Sequence, residues 1–239
     1  MNRRILAVAV LVATVAFVLS PLFVSNFNGF STTQFPVPQD NPPVQPSGFA
    51  FSIWGVIYLW LIIGAVYGLW RAREDAGWTA MRKPLVISLG IGTFWLAAAN
   101  ASPVLATVMI AVMAATAIMA FLRAGEGDPW MQVRPVALYA GWLTAATGVG
   151  IGVILGGYAV VSNQVAAILC LIGVLTIGLV VQSARPREWG YPAAIIWALF
   201  GVIVANASGP NWSILALALV GIAALSLRAI QSVMKASNQ

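Results

Sequence analysis

Three aromatic residues, Phe51, Trp54 and Tyr58, recur at i, i+3 and i+7 in the run PSGFAFSIWGVIYLWL (46–61). On a helix, at about 100° per residue, they share a sector of roughly 60°. Trp60 points nearly opposite. Trp95 stands at about the depth of Trp54 in a neighbouring apolar run, and Tyr139 and Trp142 share a face of a third that continues into Ala146 and Gly150. Such side chains carry no charge at neutral pH. They can recognise: flat apolar walls, with indole N–H and phenol O–H donors, fix a planar or sterol-like molecule in one orientation. Phe51, Trp54, Tyr58, Trp95, Tyr139 and Trp142 are therefore the candidate ligand-binding residues. Helix packing produces the same spacing, so cavity and packing both stay open here.

Other chemistries lack raw material. The chain has no histidine, one cysteine (Cys170) and six carboxylates. That leaves no metal-site pattern, no disulfide within the chain and no Cys–His pair. No ionisable side chain falls deep in an apolar run, where proton pumps, voltage sensors and intramembrane hydrolases need one. Ser52, Ser88, Thr93, Asn100, Thr144, Thr147, Thr176 and Asn206 are the polar residues there. Hydroxyls at such places bond back to their own helix or bridge two helices. The expectation is a non-enzyme with no catalytic residue, no metal and no covalent cofactor.

These residues must be positioned by membrane helices. The chain is 61% hydrophobic and 8% charged, against about a quarter charged in soluble domains. Runs of about 20 apolar residues cross the ~30 Å hydrocarbon core. Eight are expected, at about 5–24, 49–70, 84–101, 103–122, 135–157, 164–182, 190–206 and 211–232. The first is too long for a signal-peptide core, usually about 7–15 residues, and reads as a span. With eight spans all twelve Lys and Arg fall on one side: Arg3 and Arg4, the 2–3, 4–5 and 6–7 connections, and Arg228 and Lys235. By the positive-inside rule this places both termini in the cytoplasm, most simply of a bacterial inner membrane. The net charge of +6 is spread along that boundary, so it does not indicate nucleic acid.

The opposite side carries Asp40 as its only charge, in a long proline-rich loop at about 25–48. That loop reads either as a stiff solvated connector or as a lid over an outward-facing pocket, with Phe27, Phe30 and Phe35 dipping into the interface or folding back. Trp70, Trp78, Trp130, Trp189 and Trp212 read as an interfacial belt. Gly64 and Gly68, and Gly148, Gly152 and Gly156, form small-xxx-small faces for close helix packing. The hairpins ANASP (99–103) and ANASGP (205–210) recur in two halves, 1–123 and 134–239. Either a parallel repeat or simple turn chemistry explains them.

A first span, a proline-rich loop and PSGFAFSIWGVIYLWL together resemble the TspO/translocator-protein family, the tryptophan-rich sensory proteins. The matching residues are Pro42-Pro43, Trp54 and Tyr58, then Trp95 in GTFW, then Pro135, Tyr139 and Trp142. Gly92 and Gly150 stand where the family shows asparagines. The resemblance covers about 1–157, so the expected organisation is a five-helix region (1–157) with three further helices (158–239) packed on it as one membrane domain. It implies a binder of tetrapyrrole or sterol-like ligands, for sensing or transport, with a tetrapyrrole or lipid as ligand. From other classes, the residues also admit an accessory or assembly subunit of a larger membrane complex, or a facilitator for an uncharged solute. The partners expected are the lipid bilayer, with a homodimer or larger complex open.

Overall fold

The computed structural model describes residues 2–24 and 29–237; Phe27 and the side chain of Lys235 lie outside the described residues. Among the described residues eight α-helices follow in order: α1 (Arg3–Phe23), α2 (Ile53–Trp70), α3 (Ala76–Ala101), α4 (Pro103–Arg123), α5 (Arg134–Gly157), α6 (Asn163–Ala184), α7 (Gly190–Asn206) and α8 (Trp212–Ser237). Seven are long and apolar enough to cross a membrane, while α7, equally apolar, has 17 residues and rises roughly 26 Å. The chain is an all-α polytopic membrane protein.

Local chemistry sets the helix starts. Asn2, Asp75, Ser102 and Ser162 each cap a helix, their side chains accepting from backbone N–H groups of the first turn. Pro103 follows its cap at the position where a missing N–H is harmless. The expected start of the third span at residue 84 is corrected to Ala76. The Asp75 cap, one residue before Ala76 and accepting from Trp78 N at 2.9 Å, starts the helix there, and Pro84 lies inside it.

Contacts run α1–α2, α2–α5, α5–α4, α4–α3 and α3–α1, closing a ring of five helices. Phe17 of α1 fills its middle. Beyond α5, contacts α5–α6, α5–α7, α6–α8 and α7–α8 build the remainder. Helix α5 is thus shared by both groups, and two-thirds of its most apolar stretch is buried. The neighbour pattern α1–α2, α1–α3, α3–α4 recurs as α5–α6, α5–α7, α7–α8.

The basic connections meet at one end. Arg4 pairs with Glu74 at 2.5 Å, Trp78 Nε1 donates to Asp128 at 3.1 Å, and Arg185 donates to the Ala124 carbonyl. Arg134 lies 3.8 Å from Glu188, and Arg228 Nε donates to Ser183 Oγ at 3.5 Å. Two expectations change here. Trp78, assigned to the belt, is 3% exposed, because the longer α3 carries it against α2. Arg82, assigned to a connection, is buried in α3, where its guanidinium donates to the carbonyls of Arg73 (2.8 Å), Ala72 (2.9 Å) and Gly68 (3.1 Å). A cation there answers the open carbonyls at the C-terminal end of α2. Trp70 and Trp212 remain exposed, as a belt requires.

Candidate functional site

The six candidate aromatics divide into two groups. Trp54, Tyr58 and Tyr139 surround Phe17, with ring centroids 5.8, 5.4 and 5.8 Å from its own, and Trp54 stacks on Tyr58 at 5.2 Å. Tyr139 is fully buried; its hydroxyl shares a hydrogen bond with Ser88 Oγ at 3.0 Å, and Ser88 donates to the Met113 carbonyl at 2.9 Å. This cluster is filled. Gly92 is the reason it can be: a Cβ there would stand 2.6 Å from Phe17 Cε2 and 2.9 Å from Met113 Cε.

Phe51, Trp95 and Trp142 line a cavity with about 70 Å³ of free volume. Each comes from a different element. Phe51 lies in a 3₁₀ turn (Gly48–Ser52) that leads into α2, with its ring edge-on to Trp142 at 5.9 Å. Trp95 of α3 is held by its Nε1, which donates to the Ala106 carbonyl of α4 at 2.8 Å. Trp142 comes from α5 and also touches Trp54 at 6.2 Å, joining cavity to cluster. Thr107 of α4 and Gly150 of α5 also line it, and none of the lining residues is charged.

Phe30, Gln45 and Pro46 of the long loop line the same cavity. Three anchors hold the loop over the helix ends. At α3, Gln34 Nε2 donates to the carbonyls of Ala99 and Asn100 at 3.0 and 3.1 Å. At α5, Val37 N donates to the Gly157 carbonyl at 2.9 Å. The third anchor is α7, where Asn206 Nδ2 donates to the Pro43 carbonyl (2.9 Å), Trp197 Nε1 to that of Ala50 (2.8 Å), and Ser47 N to that of Gly201 (3.0 Å). Phe35, Gln39 and Val44 are buried beneath it. The segment is a roof rather than a solvated strand of chain. Helix α7 also contributes Ala198 to the cavity wall.

The residues not anticipated from sequence are Phe17, Thr107, Ala198 and the α7 anchors. Gly92 was the available signal for Phe17, since a bare helix face in a packed ring must be filled by a neighbour. Thr107 sits in an apolar run that resembles every other one. Trp60, pointing nearly opposite the aromatic sector, meets both Trp130 and Trp189, its Nε1 donating to the Trp130 carbonyl at 2.8 Å.

A family model described as TSPO-like protein matches residues 4–230. The match runs through α6, α7 and most of α8, so those helices lie inside the matched region, well past residue 157. No curated protein matches, and no solved structure does.

Proposed function

The chain belongs to the TSPO-like family, and on that premise we propose that it binds a hydrophobic ligand in the cavity beneath the 29–52 segment, for sensing or transport. The carrying observation is convergence: aromatics from three elements and an anchored roof enclose one uncharged apolar space. A tetrapyrrole or sterol-like ring is the ligand class implied by the resemblance. Sites for molecules of that size usually offer about 300–1,000 Å³, so such a ring needs the roof displaced from the ~70 Å³ form. The reading is one of binding rather than catalysis, with the basic end in the cytoplasm by the positive-inside rule.

Titration of the protein in lipid nanodiscs with a porphyrin and with a sterol, followed by tryptophan emission, tests this. Saturable quenching that weakens in Phe51→Ala and Trp95→Ala supports the site. Quenching that never saturates, or ignores both changes, sinks it.

The second reading, an accessory subunit, draws on a groove of about 450 Å³ between α4, α5 and α6, with Ala111, Ala115, Gly148 and Gly173 in its lining. Small residues let another helix approach closely in lipid. A fixed stoichiometric partner after gentle-detergent extraction would favour it.

A further inference from the structure

The cavity wall carries two polar side chains, Gln45 and Thr107, and the Thr107 hydroxyl is a buried one that the protein leaves unanswered. Thr107 is 6% exposed, and its Oγ1 has no hydrogen-bond partner. Other helical threonines close theirs onto the carbonyl four residues back: Thr14 onto Val10, Thr93 onto Leu89, Thr144 onto Ala140, Thr147 onto Leu143. Thr107 Oγ1 faces Gly150 of α5 instead, where an added Cβ would stand 2.9 Å from it, and both residues line the cavity. A buried hydroxyl without a partner is costly, and a ligand atom that answers it recovers the cost. The donor of Trp95 is already spent on Ala106.

Resting on the ligand-binding reading above, we propose that the cavity selects a neutral ligand with one hydroxyl or carbonyl set against Thr107 Oγ1. The remainder of the ligand is apolar and lies against Phe51, Trp95 and Trp142. Because no lining residue is charged, a carboxylate there would be buried without an opposite charge. Carboxylate-bearing ligands, carboxylated tetrapyrroles among them, are therefore disfavoured.

Three probes with one ring system separate these features: naphthalene, 2-naphthol and 2-naphthoate. Each is titrated against the protein in nanodiscs at neutral pH, by probe fluorescence, with empty nanodiscs subtracted. The expected result is 2-naphthol binding ~5–10-fold tighter than naphthalene, and 2-naphthoate at least ~10-fold weaker than 2-naphthol. Thr107→Val, near-isosteric and free of the unpaired hydroxyl, abolishes the difference in affinity between 2-naphthol and naphthalene. Gly150→Leu fills the space and removes both. A 2-naphthol preference that survives Thr107→Val, or 2-naphthoate binding as tightly as 2-naphthol, overturns the selectivity while the ligand-binding reading stands. Failure of all three probes to bind the wild type overturns the selectivity, and failure of the porphyrin and the sterol as well overturns the ligand-binding reading.

Discussion

Phe17 of α1 occupies the space that Gly92 of α3 leaves open, its ring 5.4 Å from Tyr58 and 5.8 Å from Tyr139. The middle of the five-helix ring is therefore solid, and the cavity lies to one side of it under the loop. Truncating Phe17 to Ala should cost about 3–5 kcal/mol. Gly92→Asn alone should cost about 1–3 kcal/mol by overpacking. Combined, the two should cost clearly less than their sum, because the new side chain enters the emptied space. Denaturation of the single and double variants in detergent measures this; strict additivity would contradict the contact.

Asn206 ties α7 to the roof by donating to the carbonyls of Pro43 and Val202, at 2.9 and 2.8 Å. Asn206→Leu should lower stability by about 1–3 kcal/mol and speed proteolytic cleavage within 29–47. Trp197→Phe, which removes the Nε1 bond to Ala50 and shrinks the ring packed on Phe49 and Phe200, should cost about 1–3 kcal/mol. Unchanged cleavage in Asn206→Leu would mean that α7 does not hold the roof.

Arg82 joins α3 to the end of α2 and the start of α1 through planar donors on four carbonyls, those of Gly68, Ala72, Arg73 and Arg3. Arg82→Met should cost about 2–4 kcal/mol, since those acceptors lose a charged partner in a buried place. Arg82→Lys should recover only a minor part, because an ammonium cannot span the same carbonyls as a rigid fork. Full rescue by lysine, read from melting curves, would show that charge alone matters.

Burial pushes the Glu188 carboxyl up, against the pull of Arg134 and Arg185 and with some help from Glu126. The folded state then holds the proton more tightly than the unfolded chain does. The resulting stability is complete below the ordinary carboxylate value and is lost as pH rises through the raised one. Glu188→Gln lacks this dependence. Its melting temperature relative to wild type should rise as pH increases from about 4.5 and level off above the raised value. A constant difference across that window would contradict the shift.

Much of the architecture was legible because spans are set by apolar length and by which side the cations occupy. Eight helices and a single basic end follow from those two signals. Helix 3 was misplaced at its start since the apolar run begins only at Pro84, whereas the Asp75 side chain decides where the first turn begins. The aromatic set was legible as a group but not in its division. Spacing says that Phe51, Trp54 and Tyr58 share a face; it cannot say that Phe17 from another helix takes up two of them. Phe51 stays apart because it lies in the 3₁₀ turn that precedes α2. The roof was half legible, as a long proline-rich loop, but its anchors depend on α7, distant in sequence. Thr107 carries no sequence signal, since only the missing bond separates it from Thr93 or Thr147.

The most direct measurement is the position of a bound ligand, by anomalous diffraction from crystals soaked with 6-bromo-2-naphthol. The account predicts bromine density in the cavity among Phe51, Trp95 and Trp142, with the hydroxyl against Thr107. Density beside Phe17 between Trp54 and Tyr139, or in the groove between α4 and α6, would contradict it.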